Sequence, residues 1–146
     1  MTSRPAAPVT SRLFLDAATA ADLMSSQVIS IHADATVPEA AAILTERGLS
    51  AAPVIEESGR PVGVVSRGDI LIHTREMSHH RASDAPSLVR DIMTPALFSV
   101  TSETSAANVV EQLLTLNVDQ LYVVDDSQSV LGVIGVHDVL RRLRSG

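Results

Sequence analysis

The chain has 146 residues, 45% of them hydrophobic, and a formal net charge of −6, enough apolar material for one compact body or two half-domains sharing a core. The acidic balance argues against nucleic acid or an anionic membrane as the main partner. Cysteine is absent and all eleven basic residues are arginine, which excludes disulfides, thiolate metal sites, cysteine nucleophiles, a Schiff-base lysine and a Walker-type phosphate loop.

The aromatic residues are Phe14, Phe98 and Tyr122, so the core is expected to be aliphatic. No run approaches 18 apolar residues, and no basic stretch followed by an apolar one opens the chain. A soluble cytoplasmic protein is the expectation. Residues 1–18 read as a flexible lead-in, docked if at all through Leu13, Phe14 and Leu15. Thr19 suits the N-cap of a short helix through Met24.

A strand follows at Val28–Ile31. Asp34 and Thr36 offer caps to a helix whose Val37, Ala40, Ala41 and Leu44 share one face. Gly48 suits a left-handed C-cap. Two apolar runs, at Val54–Ile55 and Val62–Val65, are joined by a hairpin turn over residues 56–60. A last helix begins near Arg67. Residues 73–88, polar and rich in His and Ser, read as a linker.

The same series then returns. Residues 22–71 and 91–140 align without a gap at an offset of 69, with ten of fifty pairs identical. Ala106, Val109, Val110 and Leu113 form the second helical face, Asn117 replaces the capping glycine, and residues 125–129 make the second turn. Arg141, Arg142 and Arg144 fit the C-terminus of a helix. Each copy has helices for one face of its sheet, so the open aliphatic faces need one another. The repeats are placed at residues 19–72 and 89–144.

The strongest local motif is Gly63-Val-Val-Ser66-Arg67-Gly68-Asp69, where a strand ends and a helix begins. Such a junction suits a phosphate ester, with Ser66 and Arg67 as donors and Asp69 as an acceptor for ribose hydroxyls. Ser-x-x-Asp is equally a capping arrangement that satisfies only its own helix. Asp138 recurs where Gly135 replaces the serine. His73, His79 and His80 with Glu76 read as solvated linker residues and not as a metal site. Gly63-x-x-Ser66-x-Gly68 is one residue short of a nucleophile elbow. Met24 and Met93, one position seen twice, read as core filler.

Taken in order, Asp91-Ile92-Met93-Thr94-Pro95, Gly48-Leu49-Ser50-Ala51-Ala52-Pro53-Val54-Ile55 and the Gly63–Asp69 ending resemble a tandem pair of cystathionine β-synthase (CBS) domains, a Bateman module, over residues 20–143. The resemblance implies an α+β fold: two βαββα units packed through their sheets with pseudo-two-fold symmetry and two clefts that bind adenosine compounds. It marks Asp69 for ribose, Ser66 for phosphate, Ser50 and Ala51 for the adenine edge, and Ser25 and Ile29 for closing over the base. The second copy supplies Thr94, Phe98, Asp119, Gln120, His137 and Asp138. There Gly135 lacks the expected hydroxyl, and Phe98 and Tyr122 are bulky, so the first cleft is expected to be the working one.

The expectation is a regulatory sensor without catalysis of its own. It binds AMP, ADP, ATP or a related adenosyl ligand, needs no cofactor, and signals through a homodimer or a separate effector protein. The competing reading is a homodimeric interaction protein with vestigial clefts.

Overall fold

The computed structural model describes residues 12–77 and 86–146. Strand β1 (Leu13–Leu15) and short helix α1 (Ala20–Leu23) lead into β2 (Ile31–His32), α2 (Val37–Glu46), β3 (Ala51–Ile55), β4 (Pro61–Ser66) and α3 (Arg67–Met77). The second series is α4 (Val89–Ile92), β5 (Ser99–Thr101), α5 (Ala106–Leu116), β6 (Gln120–Val124), β7 (Val130–Gly135), α6 (Val136–Leu140) and β8 (Leu143–Ser145).

Two three-stranded sheets result, in the orders β2-β3-β4 and β5-β6-β7. In each, the first pair is parallel across a helix and the second is an antiparallel hairpin. Both hairpins shift register near their tight turns, after Val54 and after Val123. This is the expected α+β repeat, with βαββ units in two sheets.

Local chemistry accounts for the helices. Thr36 caps α2: its hydroxyl accepts from the Glu39 N–H at 3.2 Å, while the Glu39 carboxylate accepts the Thr36 N–H at 3.1 Å. Ser105 caps α5 through the Asn108 N–H. The predicted faces are the buried ones: Val37, Ala40 and Leu44 in α2, and Ala106, Val109 and Leu113 in α5. Helix α2 runs out at Gly48 with φ +64°, and α5 at Asn117 with φ 53°. The left-handed stop therefore survives where glycine does not.

Four expectations are corrected. The first strand is Ile31–His32, not Val28–Ile31, because the ladder with β3 begins at Ile31↔Val54 and Val28 and Ile29 line a hollow instead. Helix α3 continues to Met77, so residues 73–77 are helical and not linker. Residues 13–15 of the expected flexible lead-in form β1, which pairs with β8, a strand the sequence did not announce. The arginine cluster serves this pairing more than a helix end. Arg142 donates to the carbonyls of Asp16 (2.8 Å) and Asp22 (3.1 Å), and Arg144 lies 3.6 Å from the Asp16 carboxylate.

The core is divided in a way the repeat did not disclose. Ala20 and Leu23 of α1 are buried with Val100, Val109, Leu121, Val123 and Ile134, the core of the second sheet. Val89 of α4 is buried with Ile31, Leu44, Val54 and Val65, the core of the first. Each leading helix therefore packs on the other copy's sheet. The segments after them are stitched in: Ser25 bridges Val133, and Thr94 bridges Val64.

Candidate functional site

The exchange places a cavity of about 340 Å³ between the two halves, within the range of small-molecule sites. The first half contributes Ser50, Ala51, Val64, Ser66 and Asp69. The second contributes Thr94, Phe98, Tyr122 and the turn from Asn117 to Gln120.

Each wall is fixed by its element. Strand β4 ends at Ser66 and α3 begins at Arg67. Asp69 Oδ2 accepts both the Ser66 N–H (2.9 Å) and the Ser66 hydroxyl (3.0 Å), while Ser66 Oγ accepts the Asp69 N–H (3.1 Å). Ser66 and Asp69 thus form the reciprocal cap allowed for in the sequence, and they face the cavity as well. The Arg67 N–H donates to the Ser50 carbonyl at 3.0 Å, which ties the start of β3 to this junction.

Thr94 reaches the cavity because its backbone exchanges hydrogen bonds with Val64, at 2.8 and 2.9 Å. Gly63 permits the approach: a Cβ there would lie 2.4 Å from the Thr94 carbonyl oxygen. Phe98 is 46% exposed at the mouth. Tyr122 is buried, with its hydroxyl 3.1 Å from Gln120 Oε1, and burial pushes its phenol up to about 12.

The candidate residues therefore regroup. Ser50, Ala51, Ser66 and Asp69 share the cavity with Thr94, Phe98, Asp119 and Gln120, which the repeats had assigned to the second cleft. Ser25, Ile29, Arg67, His137 and Asp138 do not line it. Ser25 instead pairs through its backbone with Val133. Ile29, with Val28, Pro53 and Val133, lines a hollow of only about 40 Å³ at the related position. That is room on the scale of a few waters. Arg67 and His137 are exposed. The Asp138 carboxylate accepts the Gly135 N–H at 2.7 Å and lies 3.7 Å from Arg141.

Sequence reasoning missed Val64, Asn117 and Val118 as members of this cavity, and placed Tyr122 only in the second cleft. The left-handed stop at Asn117 was the available signal, because it turns the chain toward Asp119. A further hollow of about 190 Å³ beside Asp69 is lined by His73, Glu76 and Asp91. Among the described residues no group of three or more His, Asp or Glu could hold a metal ion; His79 and His80 lie outside them. No helix among the described residues is long and apolar enough to cross a membrane.

The family model of the CBS domain matches residues 20–76 and again 89–145. The chain belongs to the CBS-domain family. Its fold is that of a tandem CBS pair. The crystal structure of CBSX2 in complex with AMP is 27% identical, with a TM-score of 0.74, and covers 84% of this chain and 93% of that one. The cytosolic domain of the Mg2+ channel MgtE in complex with ATP is 25% identical, with a TM-score of 0.71, covering 85% of this chain and 48% of that one.

Among curated relatives, the gamma-3 subunit of the 5'-AMP-activated protein kinase of Bos taurus is 32% identical over 118 residues, which is 75% of this chain and 24% of the subunit. Inosine-5'-monophosphate dehydrogenase of Methanocaldococcus jannaschii is 24% identical over 83% of this chain and 23% of the enzyme. The CBS pair thus spans about a quarter of the length of these relatives.

Proposed function

We propose that this CBS pair is a regulatory, non-catalytic cytoplasmic module that binds an adenosine-containing ligand, of the AMP, ADP, ATP or adenosyl class, between its two halves. The observation that carries the reading is the cavity of about 340 Å³ with Ser66 and Asp69 on one wall and Thr94, Phe98 and Tyr122 on the other. CBSX2 in complex with AMP and the MgtE domain in complex with ATP, both of this fold, support it.

In this reading Asp69 accepts the ribose hydroxyls and the backbone of Ser50 and Ala51 reads the adenine edge. Thr94 and Phe98 close over the base. The position related by the repeat, with its hollow of about 40 Å³, stays empty of nucleotide.

A ligand touching both halves favours the arrangement it fits, and that differential affinity is the output available to a partner. The partner is a second copy of the chain, with a separate effector protein downstream. The dimer is favoured by two repeat-related leucines left in solvent, Leu71 (69% exposed) and Leu140 (59%), with Ile72 and Val136 beside them.

A thermal-shift panel of adenosine, AMP, ADP and ATP at millimolar concentration tests the site. At least one compound should raise the melting temperature, by the equivalent of about 2.7 kcal/mol once the ligand reaches about 100 times its Kd. Asp69→Ala should remove the shift while leaving a folded protein. If no adenosine compound shifts the transition, the interaction-protein reading replaces this one.

A further inference from the structure

We infer that the cavity selects its adenosine ligand by charge, taking a derivative whose 5′ substituent is uncharged or cationic, a thioether or sulfonium, in preference to a 5′-phosphate. This rests on the proposed adenosine site and names the ligand class within it. Three observations carry it.

The first is the composition of the lining. It includes two carboxylates, Asp69 and Asp119, and no arginine or histidine; the chain has no lysine to contribute. Asp119 is exposed and is not a partner in the ion pairs formed by Asp16, Asp34 and Asp138. A phosphate-binding site is normally furnished with charge-assisted donors.

The second is that several of the donors at the start of α3 are already engaged. The Ser66 hydroxyl donates to Asp69 Oδ2, the Arg67 N–H to the Ser50 carbonyl, and the Asp69 N–H to Ser66 Oγ. A phosphate arriving there would compete with a carboxylate for the Ser66 hydroxyl and remain beside it. The helix end that would otherwise favour an anion is answered by Asp69.

The third is the surroundings. Arg67 opens α3, but its exposed side chain is not part of the lining. The adjoining hollow shares Asp69 and adds the carboxylate of Asp91. Moving a phosphate dianion into a partly desolvated site of this sign is opposed both by its lost hydration and by the carboxylates. The hydroxyls of the ribose and the edge of the base carry no such penalty. A sulfonium gains from the same field.

Isothermal titration calorimetry on the full chain, without divalent cations, tests this with 5′-methylthioadenosine, S-adenosylmethionine, AMP and ATP. The first two are expected to bind roughly fivefold or more tighter than AMP, with ATP weaker again. The gap should narrow at high salt. Asp119→Asn should raise the ratio of AMP to methylthioadenosine affinity by roughly threefold or more. If AMP or ATP binds as tightly as methylthioadenosine, charge selection is overturned and the adenosine site stands. An unchanged ratio in the Asp119 variant also overturns it. If none of the four binds, the adenosine reading itself fails and this inference falls with it.

Discussion

Gly63 and Gly132 occupy one position of the repeat, and each is needed for the room it leaves. A Cβ on Gly63 would sit 2.4 Å from the Thr94 carbonyl oxygen and 2.9 Å from Met93 Sδ; on Gly132 it would sit 2.6 Å from Met24 Sδ and 2.8 Å from the Ser25 carbonyl oxygen. Gly63→Ala should therefore cost about 1–3 kcal/mol, as forced overpacking does, seen as a lower urea midpoint. Gly68→Ala is the control. A Cβ there meets only Ser66 Oγ at 3.6 Å, and alanine favours the helix.

Tyr122, the only tyrosine, offers a second test. Its phenol is pushed up to about 12 by burial, so the fold favours the neutral form. The resulting stabilisation is complete below the ordinary tyrosine pKa of about 10 and is lost as pH rises from there through about 12. Phenolate absorbance in the native protein should appear about two pH units later than in urea. The glycines and the methionines beside them were visible in the sequence as repeated positions. Their mutual contact was not, because each Gly meets the Met of the other copy.

Helix α4 shows what the elements contribute. It has four residues, too few to be stable alone, and it persists because Val89 is fully buried in the core of the first sheet. Val89→Ala should remove about 2 kcal/mol of stability. Native-state amide exchange should quicken first in β2, β3 and β4, the strands that core supports. Faster exchange confined to β5–β7 would contradict this placement.

At this scale much was legible. Helices α2 and α5 announced themselves by period, cap and stop, and the hairpins by their turns. The short elements were not. Strand β2 is set by its ladder with β3, not by the apolar run before it, and β8 is Leu-Arg-Ser, with no alternation to betray a strand. Its ladder with β1 and the distant contacts of Arg142 and Arg144 with Asp16 hold it there. Acid should loosen the start of α1, seen as faster amide exchange there. The Ala18 and Thr19 N–H groups hold the Asp22 carboxyl below its usual range, so its support of α1 is present above the ordinary carboxylate pKa and is lost as pH falls through the depressed value.

For the whole molecule, the repeat predicted the number of sheets and clefts but not their ownership. Cleft residues were divided by copy, whereas the cavity draws Ser66 and Asp69 from one copy and Thr94, Phe98 and Asp119 from the other. Sequence alignment reports which segments are equivalent; it is silent on which partner each equivalent segment touches. The two related positions differ in size, about 340 against about 40 Å³. Phe98, expected to fill the lesser cleft, stands at the mouth of the larger one. Assembly is the remaining whole-molecule expectation. Sedimentation should show a concentration-dependent dimer, and Leu71→Glu combined with Leu140→Glu should leave a folded monomer. An unchanged sedimentation profile would remove these leucines from the interface.

The crossed packing of α1 and α4 also bears on ancestry. A single βαββα copy, produced alone, would hold a core lacking its covering helix and a helix lacking its core. Two such chains would satisfy one another by trading those helices, giving a domain-swapped pair held at the equivalents of Gly63 and Gly132. Fusing the two genes end to end would then convert a trade between molecules into one within a molecule, and free each half to diverge. The present inequality of Ser66 and Gly135 is the kind of difference that two identical chains, sharing one gene, never had available.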